Sequence, residues 1–482
     1  MRLRVFTLFF ALLMAGSTFA ASMPNKPSNE HFQNAIAQYR AGKLSAAVSE
    51  LHSALTESPN DANSMNWLGF IFMQMGKPDD AIPVLEKAVS IKADATSWFN
   101  LGRAYQAKDR PKNAVSAFEK VVAIDPKNAD AWYNLGNLRL KQKKTADAIK
   151  AYETAATLSP TNADVMNNLA QAYVINHETS MAVGRYQKAA ELAPKDAAIQ
   201  LNLGLALEKL GRTDSAITAF SKAVDLDMSN YSARMALGEA YTGAKESDLA
   251  IAQFQAASQL RPKEVAPHID LAGIYTRRLD SDKAIEELKA ASALKPDDAG
   301  ILTNIGCIYY KDGNASEAGK AFHKAIDADE DYAPAHTNLA VLYSEKGKSA
   351  EAAAEWLIVR KLDPKNIAAA LEVANADLAA KRYPQASSGY QSALKLDPKN
   401  AHALNGLGLC AERQGRIAEA IKYYSVAVQA DPKFAVGYNN LGVVYEKQGS
   451  AAKALAQYKK AVDADPNCKP ARKNLDRLSG SG

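Results

Sequence analysis

Asparagine falls on a fixed grid along this chain of 482 residues. Asn100, Asn134, Asn168 and Asn202 follow one another at intervals of 34, and Asn304, Asn338, Asn440 and Asn474 stand on the same grid. An amide side chain both donates and accepts hydrogen bonds. Repeated at constant spacing, it could pair with the N–H and C=O groups of an extended polypeptide, reading main chain instead of sequence. A helix interior gains nothing from asparagine, whose side chain competes with the backbone for hydrogen bonds. Phe99, Tyr133, Asn167 and Leu201 precede the first four grid points, and Arg103, Asn137 and Gln171 follow three residues after the first three. Rings mixed with amides suit a polypeptide carrying some apolar side chains. The grid is broken at Ala236, Asp270, Glu372 and Gly406, and further along Tyr310, Glu412, Arg413 and Glu446 change its chemistry. A second partner could use that later half.

No other constellation points to a reaction. Gly347-Lys348-Ser349 looks like the end of a phosphate-binding loop, but Leu342 stands where the upstream glycine is required. His177-Glu178 begins like a zinc-protease helix, yet Met181 occupies the second ligand position. The seven histidines have no metal-ligand spacing, and His268 and His336 fall at packing positions. Cys307 and Cys410 are too far apart to bridge and read as buried spectators; Cys468 reads as an inert thiol. Lys141, Lys143 and Lys144 read as a solvated helix end. A net charge of +5, from 58 Lys and Arg against 53 Asp and Glu, is too small for a nucleic-acid binder. The expectation is a non-enzyme with no metal and no cofactor.

The asparagines are positioned by a unit written thirteen times. From Ser28 to Cys468 the chain divides without a gap into segments of 34 residues, the second of them 33. Position 20 of the unit is always alanine, as at Ala47, Ala148 and Ala454, and position 8 is always Gly or Ala. Position 24 is always large and apolar or aromatic, and position 32 is proline in ten of thirteen units, with Ala93, Met228 and Glu330 the exceptions. Apolar residues at 4, 7, 8 and 11 form the inner stripe of a first helix, and 20, 24 and 27 that of a second. Small residues at 8 and 20 let the two approach, while the large residue at 24 fills the space between. Glycine at position 15, as at Gly76 and Gly313, admits a positive φ in the turn. Proline at 32 ends the second helix. One such hairpin cannot cover its own apolar face, so stability must come from stacking. The fold class is all-α.

The unit resembles the tetratricopeptide repeat: Trp132, Leu135, Gly136, Ala148, Tyr152, Ala155 and Pro160 stand at the signature positions within one repeat. The resemblance implies a right-handed superhelical solenoid of about thirteen helical hairpins over residues 28–468, with a concave groove lined by the first helices. Residues 469–482 resemble the solvating cap helix and short tail that close such arrays. The asparagine column at unit position 6 is similar to the ladder in the repeat region of O-GlcNAc transferases, without any transferase domain. Asparagine at this place in the family also serves to link neighbouring hairpins, and both accounts stay open. The family's clamp for acidic chaperone tails is matched only by Asn137 and Asn168; Tyr133, Ala198 and Asn202 replace its other members.

Residues 1–20 have the order of a secretory signal peptide, with Arg2 and Arg4, an apolar run from Val5 to Ala15, and a small-residue site at Thr18-Phe19-Ala20. Residues 21–27 form a linker stiffened by Pro24 and Pro27. The expected protein is therefore exported, periplasmic or secreted, and not held in the membrane after cleavage. Its expected role is a protein-binding scaffold with Asn100, Asn134, Asn168, Asn202, Phe99, Tyr133, Arg103 and Asn137 lining a peptide groove. Asn304, Asn338, Asn440 and Asn474 make a secondary groove. The alternatives are a self-assembling array, possible as a homo-oligomer, and an accessory of polysaccharide export.

Overall fold

The computed structural model describes residues 30–480; the expected signal peptide and linker lie outside them. The described residues form twenty-seven helices and no strand. They fall into two compact units that divide in the turn of the seventh repeat, at Glu246 and Ser247. The first unit contains six hairpins followed by the helix Tyr231–Gly243. The second begins with the helix Ser247–Leu260, continues through six hairpins and ends in a cap helix, Lys469–Ser479. Within each unit every complete hairpin packs mainly on itself and then on the next one along the chain.

The repeated columns of the sequence are the core. Ala47, Ala81, Ala114 and their equivalents at position 20 are buried, and so is every side chain at position 24, from Leu51 to Tyr458. Position 8 is small because the side chain at position 24 lies against it. A Cβ built on Gly136 would come within 2.5 Å of the Tyr152 ring, and one on Gly204 within 2.4 Å of Phe220. Each fully buried ring or leucine contributes roughly 1.5–3 kcal/mol. The fold thus spends its small residues where large ones must enter.

The turn inside every hairpin has its position-15 residue in the left-handed region, whatever that residue is. Gly42, Gly76, Gly211, Gly313, Gly347, Gly415 and Gly449 adopt it. So do Asp109, Lys143, His177, Lys245, Leu279 and Lys381. The tight turn sets the backbone, and glycine only makes it cheap.

A second tie holds the loop between hairpins. A side chain at position 4 donates to the carbonyl six residues earlier: Trp132 Nε1 to Pro126 at 3.0 Å and Arg234 Nε to Met228 at 2.9 Å. His336 Nε2 lies 3.0 Å from the Glu330 carbonyl in the same arrangement. Met228 and Glu330 are two of the exceptions to proline, and the tie explains why they are tolerated: the loop uses their carbonyl, which every residue has. Histidine at position 4 also meets a carboxylate from the second helix. His31, His268 and His336 lie 2.7, 2.6 and 2.6 Å from Glu50, Glu287 and Glu355. These are the three repeats with glutamate at position 23, so the histidines are partnered structural groups.

Candidate functional site

The first helices present positions 5, 6 and 9 together at the seam between consecutive hairpins, and there the asparagine grid is resolved. Asn100 Nδ2 donates to Asn66 Oδ1 of the preceding repeat at 2.8 Å, and Asn100 is buried. Asn202 Nδ2 donates to Asn167 Oδ1 at 3.2 Å, and Asn167 Nδ2 to Asn168 Oδ1 at 3.1 Å. Asn168 Nδ2 in turn donates to the Tyr133 hydroxyl at 2.9 Å and to Asn137 Oδ1 at 3.1 Å, where the Tyr152 hydroxyl also donates. The same relay recurs at the end of the chain. Asn474 donates to Asn439 at 3.0 Å, Asn439 to Asn440 at 3.4 Å and Asn440 to Asn405 at 2.9 Å.

One rule covers the whole column. An asparagine at position 6 bonds across the seam when position 5 of the preceding repeat carries an amide or phenol, as Asn66, Tyr133, Asn167, Asn405 and Asn439 do. Where that residue is Phe99, Ile269 or Thr303, the bond across the seam is missing. Asn134 then turns back to the Asp130 carbonyl at 2.7 Å, and Asn338 to the Pro334 carbonyl at 2.9 Å. Asn304 is exposed and has no hydrogen-bond partner among the described residues. Thr303 is too short to meet Asn338, and its buried hydroxyl oxygen has no partner.

These bonds correct the expected peptide groove in several places. Asn100, Asn168, Asn202, Asn440 and Asn474 spend their amide donors on neighbouring repeats, because a half-buried seam requires its polar groups to be paired. Phe99 is not a groove-surface ring: it is buried, its ring 5.5 Å from Phe118 in an edge-to-face contact. Tyr133 is half-buried, packs on Tyr152, and has its hydroxyl held up in pKa by burial. Asn137 is an acceptor for two donors. Arg103 alone of the first group is left without an ion pair or hydrogen bond among the described residues. Asn134, Asn304 and Asn338 keep their carbonyl oxygens toward solvent.

The later residues singled out for their chemistry form a second set of seam ties. Glu412 accepts from the Tyr424 hydroxyl at 2.8 Å and pairs with Lys447 at 2.6 Å; its side chain is 10% exposed. Glu446 accepts from the Tyr458 hydroxyl at 2.9 Å and pairs with Arg477 at 2.7 Å. The Arg477 guanidinium holds the Glu446 carboxyl below the usual carboxylate range. Tyr310 donates to Glu345 of the next repeat. Cys307 is partly exposed at position 9, with burial pushing its thiol pKa up.

Two features of this face were not anticipated. The position-5 acceptors Asn66, Asn405 and Asn439 were legible only by reading columns 5 and 6 as a pair. At the start of the chain Tyr39, Trp67 and Phe70 form a mutually edge-to-face cluster with centroids 5.5–5.7 Å apart. Trp67 there occupies the column that elsewhere holds asparagine. Rings this close fill one another's space and leave no cage between them.

Comparison with known proteins adds the family. Tetratricopeptide repeat models match residues 209–265, 269–333, 303–367 and 371–433, and a further one matches 435–468. Together they take in more than half of the chain. A model described as the cilia and flagella-associated protein 70 C-terminal domain matches residues 11–233. Over 106 residues, 21% of this chain, the sequence is 32% identical to the tetratricopeptide repeat domain-containing protein PYG7, chloroplastic, of Arabidopsis thaliana. The match spans only 35% of that relative's length. Among solved structures, MamA is 27% identical, with 35% of this chain and 92% of that one covered at a TM-score of 0.34. YrrB, described as a TPR protein with an unusual peptide-binding site, is 22% identical, with 39% and 97% covered at a TM-score of 0.35.

Proposed function

The chain belongs to the tetratricopeptide-repeat family, whose members generally act as protein-interaction scaffolds, and on that premise we propose that it holds extended polypeptide on the first helices of its ninth and tenth repeats. The observation that supports this reading is the pair Asn304 and Asn338. They stand in consecutive hairpins, Ala299–Lys311 and Ala333–Glu345, and neither bonds across a seam. Their neighbours at position 2, Gly300 and Pro334, and at position 9, Cys307 and Val341, are small or compact, which lets a backbone come close. Packed helices lie about 8–10 Å apart, and an extended chain rises about 3.4 Å per residue. One free amide per hairpin therefore meets the guest about every third residue, with a donor and an acceptor for its main chain. The face carries no nucleophile poised beside a base, and the reading is of a non-catalytic scaffold. Export, proposed from the Arg2 to Ala20 pattern, would make its guests envelope or secreted polypeptides. No helix among the described residues is long and apolar enough to cross a membrane.

A tiled array of unrelated peptides, each spotted with a copy N-methylated on its backbone, tests the reading. Binding should fall on N-methylation and with Asn304→Ala plus Asn338→Ala, and should survive Asn168→Ala. Peptides that bind the double variant as well as the parent would overturn main-chain gripping at this site.

A further inference from the structure

The charge of the chain is concentrated at one end. Residues 451–479 hold seven Lys and Arg against three Asp, a net +4, while all 482 residues sum to +5. Four of those cations, Lys469, Arg472, Lys473 and Arg477, are exposed on the cap helix. With Asp476 and Gly480 they line a shallow depression on its outer side. The cap's apolar residues are spent on the array: Ala471 is buried, and Leu475 and Leu478 are partly so.

A terminal helix needs a polar outer face to end a stack, but it does not need one sign of charge. The helix Glu30–Arg40, which opens the chain, has one acid and one base. The cap helix instead breaks every local rule. Lys469 and Arg472 sit in its first turn, against the helix dipole. Its N-cap, Cys468, makes no side-chain bond, whereas Asp61, Asp94, Asn128, Asn366 and Asn400 cap other first helices. Lys469 lies three and four residues from Arg472 and Lys473, and Lys473 four from Arg477, so like charges face each other along the helix. Local conflicts without local gain mark functional surfaces.

We propose that the outer face of the cap helix is a docking surface for an acidic polypeptide segment, separate from the asparagine face. The two guanidiniums are already oriented by the fold: Arg477 on Glu446 at 2.7 Å and Arg472 on the Pro466 carbonyl at 2.8 Å. Their remaining N–H groups form the planar fork that carboxylates fit. Lys469 and Lys473 have no partner among the described residues and supply free charge beside them. A lipid surface fits less well, since no exposed apolar side chain accompanies these cations on the cap helix.

The probe is a fluorescein-labelled octaglutamate, followed by anisotropy with the full chain at low and moderate salt. Binding should be saturable and salt-sensitive. Lys469→Glu with Lys473→Glu should weaken it about tenfold or more, and the matching Gln pair by less. Lys120→Glu with Lys222→Glu, which changes the net charge equally at exposed positions elsewhere, should leave it unchanged. Equal binding by the Lys469/Lys473 reversal, or equal loss in the distant control, would overturn the site. Cosedimentation with phosphatidylserine vesicles in the absence of octaglutamate binding would overturn the partner class. Neither probe touches Asn304 or Asn338, so failure there leaves this surface standing.

Discussion

Replacing single asparagines of the position-6 column by alanine should change stability in opposite directions, according to the residue they face. Asn304 is exposed and makes no bond, so Asn304→Ala alters only helix propensity, a gain of roughly 0.5 kcal/mol. Asn440→Ala makes the same gain but removes the 2.9 Å bond to Asn405, a side chain 8% exposed. A buried acceptor left without its donor costs roughly 1–3 kcal/mol, so the net effect is destabilising by about 0.5–2.5 kcal/mol. Adding Asn405→Ala removes the orphan, and a double-mutant cycle should return a coupling of about 1 kcal/mol. Urea unfolding followed by circular dichroism gives the sign. Native-state hydrogen exchange of the helix Ala435–Lys447 gives the location, because stacked hairpins open with their own stabilities. If Asn304→Ala destabilises as much as Asn440→Ala, or the cycle shows no coupling, then the column is not a seam lock and its open members carry no special meaning.

Two further outcomes follow from the turns and the end of the array. Leu279 is 88% exposed with φ 60°, so its side chain packs on nothing while its backbone is strained. Leu279→Gly should relieve roughly 1–2 kcal/mol of left-handed strain and lose about 0.5–1 kcal/mol to unfolded-state entropy, raising the thermal midpoint slightly; a lower midpoint would refute the strain argument. The Glu446 carboxyl is depressed in the folded state, so its contribution is present above the ordinary value of 4.5 and is lost as pH falls through the folded value. Glu446→Gln should therefore flatten the stability of the last hairpin and cap against pH below about 4.5, measured by chemical denaturation at stepped pH; an unchanged acid slope would count against the tie to Arg477.

Much of the fold was legible because packing repeats whatever the sequence does between its fixed points. Ala148, Gly136 and Tyr152 have to be small, small and large for two helices to meet at that distance, and the 34-residue period exposes the constraint directly. The turn was legible in half its instances only. Gly313 announces a positive φ, whereas Leu279 or Lys381 in the same place does not, since the geometry is imposed by the hairpin and merely tolerated by the residue. Proline at position 32 hid its own function in a similar way. The carbonyl tie to position 4 is a main-chain property, invisible where proline, methionine and glutamate alternate.

The site was harder to read for a reason that lies in how amides work. A column of identical asparagines is consistent with a ladder for a guest and with a lock between hairpins, because the same side chain can do either. What decides is the partner 34 or 35 residues earlier, which is a different residue type in different repeats. Phe99 in front of Asn134 and Ile269 in front of Asn304 cannot accept a hydrogen bond; Asn66 in front of Asn100 and Asn405 in front of Asn440 can. Closing a seam and leaving it open are therefore separate choices made by single residues at position 5. Asparagine at position 6 is worth keeping in front of an apolar residue only if something outside the seam uses it, since alanine would serve the helix better. Asn304 and Asn338, two open places in a row, are where that reasoning concentrates.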